Sequence, residues 1–254
     1  MVLAAGTPPV PECLAAARAV LFDLDGVLLS TSQLHREAWA ELFAGWFAEH
    51  GIVPAYTEDD YFRLLDGRPR YDGVRAVLAS RGVELPWGEP ADPPDADTIC
   101  GLGNRKNAGF EQALAERGPR LFPDTVAVLL RLLREGKRLA VVSSSRNASA
   151  ALAAAGIADA FDVVVDGQVA AEQRLAGKPA PDTFVHAAAE LAVPVDQAVV
   201  VEDATFGVAA GRAGGFGLVV GVDRGAGAEA LLAAGADAVV GSLAELVDPA
   251  AGGR

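Results

Sequence analysis

Six short apolar runs, each closed by Gly, Asp or Ser, do most to limit the fold. They are RAVLFD (18–23), RLAVVSS (138–144), DVVVD (162–166), AVVVED (198–203), GLVVGV (217–222) and DAVVG (237–241). Their Val-rich character and lack of apolar–polar alternation suit strands covered on both faces. The intervening segments are helix-periodic: DTVAVLLRLLREG, NASAALAAAG, PDTFVHAAAELA, TFGVAAGRAGG and GAEALLAAGA. Strand and helix in repeated alternation predict an α/β fold with a doubly wound parallel sheet.

Residues 34–118 break the alternation. LHREAWAELFAGWFAEHG, TEDDYFRLLDG, YDGVRAVLASRG and NRKNAGFEQALAERG are all helix-periodic, with turn residues at their ends and no strand among them. The expected organisation is an α/β core of 1–33 and 119–254 carrying an inserted small α-helical cap of 34–118. A long, acidic, Pro-rich loop at 83–103 joins the third and fourth cap helices.

In a doubly wound sheet, ligands bind beyond the carboxyl ends of the strands. The polar residues closing the runs are therefore the candidates. The first strand delivers Asp23 and Asp25. The second delivers Ser143, Ser144 and Ser145, and a later one delivers Glu202 and Asp203. The loop AGKPAPD adds Lys178, with Pro181 expected at the first helical position.

Four carboxylates on one rim repel unless something cationic meets them. A hard divalent cation with oxygen ligands, Mg²⁺, suits the set Asp23, Asp25, Glu202 and Asp203. A lysine and a hydroxyl beside that metal suit a phosphate. One aspartate can attack a phosphoryl group and the other can protonate the leaving oxygen.

Composition narrows the partners. Of 254 residues, 34 are acidic and 21 basic, a formal charge of −13. That background opposes nucleic acid, and an anionic ligand needs a local cation. No apolar run has the length of a membrane span. The N-terminus lacks a basic region and is interrupted by prolines, unlike a signal peptide. Cys13 and Cys100 lack metal-ligand spacing and read as free thiols, which points to a cytoplasmic location.

These motifs resemble the haloacid dehalogenase (HAD) superfamily over nearly the whole chain. Its Asp-x-Asp-Gly-Val/Thr motif matches Asp23 to Val27. Its strand-ending Ser or Thr matches Ser143, its Lys-Pro lysine matches Lys178, and its paired acids match Glu202-Asp203. The resemblance implies Asp23 as nucleophile and Asp25 as acid/base.

Within the superfamily the chain resembles β-phosphoglucomutases. Their cap pattern matches His35 and Trp39, Gly67 and Arg70 in DGRPRYDG, and Lys106 in RKN. Their Ser-x-Ser-Lys-Asn motif matches SSSRN, with Arg146 replacing Lys; Ser144, Ser145, Arg146 and Asn147 are the implied substrate contacts. Ser30 stands where such enzymes usually carry Asp.

The residues alone leave alternatives open. Ser145 and Asn147 equally suit capping of the next helix, and Arg68 competes with Arg70. His35 and Trp39 at helical spacing equally suit a core-facing pair. Arg70 and Lys106 would ordinarily be surface charges.

The resemblance implies a mutase interconverting β-glucose 1-phosphate and glucose 6-phosphate through glucose 1,6-bisphosphate. A sugar-phosphate phosphatase shares the core motifs, and a non-catalytic sugar-phosphate sensor is a third reading. A dinucleotide enzyme would need a Gly-rich turn that DLDGVLL lacks.

Overall fold

Each of the six apolar runs forms a strand in the computed structural model, which describes residues 1–4, 6–7 and 9–248. The chain divides into two compact units, Met1–Ser30 with Arg120–Arg254, and Thr31–Pro119. The divisions fall at 30/31 and 119/120, against the expected 33/34 and 118/119.

In the first unit the strands are β1 (Val2–Leu3), β2 (Ala19–Phe22), β3 (Arg138–Val142), β4 (Val163–Val165), β5 (Ala198–Glu202), β6 (Leu218–Val222) and β7 (Ala238–Val240). They form one sheet in the order β1-β7-β6-β5-β2-β3-β4, parallel throughout except for β1. The two-residue antiparallel edge strand β1 was not expected: it is too short for a period to show. The chain runs outward from β2 through β3 and β4, then returns to β5 on the other side of β2. That reversal makes the carboxyl ends of β2 and β5 a switch point, where such sheets bind ligands.

The helices of this unit flank the sheet: α1 (Val10–Ala16), α6 (Thr125–Arg134), α7 (Ala148–Ala154), α8 (Gly167–Glu172), α9 (Asp182–Glu190), α10 (Thr205–Ala213), α11 (Ala228–Ala233) and α12 (Ala244–Val247). Alternate strand residues point to opposite faces. Val20, Phe22, Val141, Val199 and Val201 pack with α1, α6, α7 and α12. Leu21, Ala140, Val142, Val200 and Val219 pack with α9, α10 and α11. Burial on both faces is why the strands read as continuous apolar runs.

The second unit is helical: α2 (Ser32–His50), α3 (Glu58–Asp60) running into a π-helical turn (Tyr61–Leu65), α4 (Arg70–Ala79) and α5 (Ile99–Arg117). Its core stacks Trp39, Phe43, Trp46 and Phe47 of α2 against Val74, Val77 and Leu78 of α4 and Leu102 of α5. The loop expected at 83–103 is shorter, because α5 begins at Ile99. Thr98 caps it, its hydroxyl accepting from the N–H of Gly101 at 2.9 Å. Pro181 occupies the N-cap of α9 rather than its first helical position. Among the described residues, no helix is long and apolar enough to cross a membrane.

Candidate active site

Strand register builds the centre. Phe22 of β2 pairs with Val141 of β3 and with Val201 of β5. The next residues, Asp23, Val142 and Glu202, are therefore level across three neighbouring strands. Lys178, from the loop between α8 and α9, fills the space among them. Its Nζ donates to Asp23 Oδ1 at 2.6 Å, to the Val142 carbonyl at 3.0 Å and to Glu202 Oε1 at 2.7 Å. All three donors of the ammonium are thus used, and Lys178 is only 2 % exposed.

Glu202 is wholly buried. Its second oxygen, Oε2, accepts from the backbone N–H of Ala204 at 2.7 Å. Both its oxygens are held by donors of the chain, so its evident work is to anchor Lys178. Asp203, beside it, is 5 % exposed. Carboxylate oxygens of Asp23, Glu202 and Asp203 lie within 4.8 Å of one another.

Burial, the largest influence, pushes the Asp23 carboxyl well above the ordinary carboxylate range; Lys178 pulls the other way, while Glu202 and Asp25 add to the rise. Burial alone would lower Lys178, but Asp23 and Glu202 outweigh it and hold the ammonium protonated. One lysine thus faces three clustered acids. The all-oxygen donor set, short of positive charge, fits a divalent cation such as Mg²⁺.

Asp25 is half-buried, and Ser143 Oγ lies 3.5 Å from its Oδ2. That hydroxyl also accepts from the N–H of Ser145 at 3.1 Å. Ser145 Oγ in turn accepts from the N–H of Asn147 at 3.2 Å, so Ser145 shapes the turn ahead of α7. Ser144 is half-buried in the same turn, and Arg146 is exposed.

Two glycines are required here: Gly26, the glycine of the Asp-x-Asp-Gly motif, and Gly207, which sequence reading did not single out. Gly26 sits at φ +91°, and a Cβ there would come within 1.8 Å of Asp203 Oδ2. At Gly207 a Cβ would come within 1.6 Å of Glu202 Oε1. A second omission is Arg224, whose Nε donates to the Gly26 carbonyl at 3.0 Å. The glycine inside a helix just after the paired acids was a readable signal; nothing in the sequence singles out Arg224.

The remaining candidates, His35, Trp39, Gly67, Arg70 and Lys106, belong to the second unit. Lys106 departs from the surface position ordinarily expected of it: it is 4 % exposed. Its Nζ lies 2.5 Å from His35 Nδ1 and faces the Trp39 and Phe110 rings at 5.0 and 4.9 Å. An ammonium only donates, so His35 Nδ1 is the acceptor of that hydrogen bond. His35 stacks on Phe110 at 3.9 Å, which fixes its plane. Arg70 opens α4, and its Nη2 donates to Asn107 Oδ1 at 2.7 Å, one residue beyond Lys106. Gly67 takes φ +73° in the turn leading to α4.

A family model described as haloacid dehalogenase-like hydrolase matches residues 17–215. A β-phosphoglucomutase of Mycobacterium bovis is 46% identical over 239 residues, covering 91% of each chain. The fructose-1-phosphate phosphatase YqaB of Escherichia coli is 29% identical, over 79% of this chain and 94% of its own. Among solved structures, a CbbY variant from Rhodobacter sphaeroides in complex with xylulose-(1,5)bisphosphate superposes with a TM-score of 0.69 at 28% identity, covering 90% of this chain and 96% of that one. With its seven-stranded sheet and strand-end acids, this chain belongs to the haloacid dehalogenase superfamily, in its β-phosphoglucomutase-like subfamily, and is an enzyme of that type.

Proposed function

We propose that the chain is a Mg²⁺-dependent β-phosphoglucomutase that interconverts β-glucose 1-phosphate and glucose 6-phosphate, acting in the cytoplasm. The observation that carries this reading is the pairing of two features. One is the Lys178-bridged acid cluster at the β2 and β5 ends. The other is the cationic pair Arg70 and Lys106 in the helical unit of a chain 46% identical to a β-phosphoglucomutase.

Asp23 is the nucleophile. Lys178 holds its Oδ1, which keeps the carboxylate from rotating and favours the ionised form. Attack on the phosphorus gives an aspartyl phosphate, and Asp25 donates a proton to the departing sugar oxygen. In the return step Asp25 accepts the proton of the sugar's other hydroxyl as the phosphoryl group leaves Asp23. Ser143 and Lys178 supply donors to the phosphoryl oxygens. Mg²⁺ would be held by Asp23, Asp203 and the backbone carbonyl of Asp25, with Glu202, whose oxygens already accept from Lys178 and Ala204, reaching it through a water. When bound it supplies positive charge against the phosphate oxygens and lowers the raised Asp23 carboxyl.

In the helical unit, Arg70 grips the phosphate that is not being transferred, and Lys106 and His35 act together beside it. Gly67 in the helical unit and, separately, the Ser144–Asn147 turn of the first unit are the remaining substrate contacts of this reading, while Trp39 backs Lys106. The test is incubation with Mg²⁺, β-glucose 1-phosphate and a glucose 1,6-bisphosphate primer. Glucose 6-phosphate should accumulate with little free phosphate. Stoichiometric phosphate release would instead select the phosphatase, the second reading, which the likeness to YqaB favours.

A further inference from the structure

The Pro-rich stretch between α4 and α5 takes no part in the mechanism above, yet it is firmly built. The N–H groups of Ile99 and Cys100 donate to the carbonyls of Pro86 and Trp87 at 2.9 and 3.0 Å. Thr98 Oγ and the N–H of Glu89 both donate to Asp92 Oδ2, at 2.6 and 3.1 Å.

Asn104, on α5, is the hub. Its Nδ2 donates to the loop carbonyls of Pro90 and Asp92 at 3.2 and 2.8 Å. Its Oδ1 accepts from the Tyr71 hydroxyl at 3.0 Å. The two loop carbonyls and the hydroxyl therefore dictate which way the amide faces.

Tyr71 follows Arg70, whose guanidinium carbon lies 5.8 Å from the tyrosine ring centroid. The ring is confined on two further sides. A Cβ on Gly103 would come within 2.7 Å of it, so only glycine lets it lie against α5. Trp87 of the loop meets it edge-on at 6.4 Å. Arg70 itself reaches Asn107, three residues beyond Asn104 on the same helix face.

We infer that the 83–98 loop is a brace that aims Arg70, with Tyr71 and Asn104 as its positioning residues, and so sets the preference for substrates bearing a second phosphate. This rests on Arg70 being the grip for that phosphate. An arginine ordered before binding loses less rotamer freedom when the phosphate arrives, so the brace acts on affinity rather than on the chemical step.

Tyr71→Phe removes one hydroxyl and keeps the ring; Asn104→Ala uncouples the loop from α5. Both should raise KM for glucose 1,6-bisphosphate, which carries a second phosphate, Tyr71→Phe by about three- to tenfold. In Tyr71→Phe, kcat and the hydrolysis of acetyl phosphate, which has no second phosphate, should stay at wild-type values. With Arg70→Ala already present, Tyr71→Phe should raise KM no further, because the hydroxyl acts only through the arginine. Wild-type KM in both single variants overturns the inference, as does a Tyr71→Phe effect that persists without Arg70 or falls equally on acetyl phosphate. Arg70→Ala alone separates the two levels. A large KM rise there beside a silent Tyr71→Phe removes the brace and leaves the grip, whereas wild-type KM in Arg70→Ala removes the grip and the brace with it.

Discussion

Glu202 lies at the end of a strand, fully buried, and both its oxygens are held by donors of the chain. That arrangement makes it a support for Lys178, and Gly207 is what leaves room for it. Gly207→Ala should push the Glu202 carboxylate aside and carry Lys178 away from Asp23. A displacement of about 1 Å at a reacting group can cost on the order of a hundredfold. We expect that loss in kcat with the far-ultraviolet circular dichroism preserved; wild-type turnover would mean the centre tolerates the shift. Asp23→Asn should abolish turnover and labelling by a radioactive phosphoryl donor, because the amide cannot form the acyl phosphate. Near-normal turnover of the purified variant would refute the nucleophile assignment. Asp23, Asp25, Ser143 and Asp203 were legible because each closes or follows an apolar run, where a polar residue has no packing reason to be. The anchoring of Glu202 was not, since it depends on which strands are neighbours. The burial of Lys106 was not legible, because burying a lysine depends on a tertiary partner, here His35; of the two readings open for it, the surface charge is the one its 4 % exposure argues against.

At the scale of elements, the strands of the core were readable because two-sided burial leaves a continuous apolar run. The start of α5 was not, because Gly101 and Gly103 argue against a helix by propensity. Packing overrides them. A Cβ on Gly101 would come within 2.3 Å of the Ala96 carbonyl, and one on Gly103 would strike Tyr71. α8 was missed for want of a marked periodicity in its six residues, GQVAAE; Asp166 holds its start by accepting from the N–H groups of Gln168 and Val169.

The segment leading into α3 is fixed by a buried ion pair. Arg81 donates to Asp60 Oδ1 at 2.7 Å and to the carbonyl of Ala55 at 3.1 Å, while the N–H of Thr57 donates to Asp60 Oδ2 at 2.9 Å. The hydrogen bonds from Arg81 are the main influence holding the Asp60 carboxyl below its usual range; burial opposes them and Thr57 assists. A depressed folded-state value means the stabilisation is fully present above the unfolded pKa of about 3.9 and is lost as pH falls through the lower folded value. Asp60→Asn should therefore cost about 1.5–3 kcal/mol at pH 7. Urea unfolding at pH 7 and at pH 3 should show that difference shrinking on acidification. A difference independent of pH would assign the loss to packing rather than to charge.

On the scale of the whole molecule, the acidic balance and the metal reading bear on each other. A chain of net charge −13 repels a phosphorylated sugar at a distance, so positive charge has to be concentrated where the phosphates sit. Lys178 is committed to two carboxylates, which leaves the acid cluster with negative charge to spare. A divalent cation bound there would favour the folded state of the first unit, since the unfolded chain does not bring Asp23 and Asp203 together. At a hundred times its dissociation constant a ligand adds about 2.7 kcal/mol. For a chain of this size that is roughly a 5–10 °C rise in melting temperature. Thermal unfolding with Mg²⁺ should show the rise, excess chelator should reverse it, and Asp203→Asn should remove it. Ca²⁺ accepts longer bonds and more ligands, so it should raise the melting temperature as well while supporting little turnover. Both acids belong to the first unit, so where calorimetry resolves two transitions the shift should fall on that unit's. An equal shift in Asp203→Asn would place the cation elsewhere, and full activity in chelator would end the metal-dependent reading.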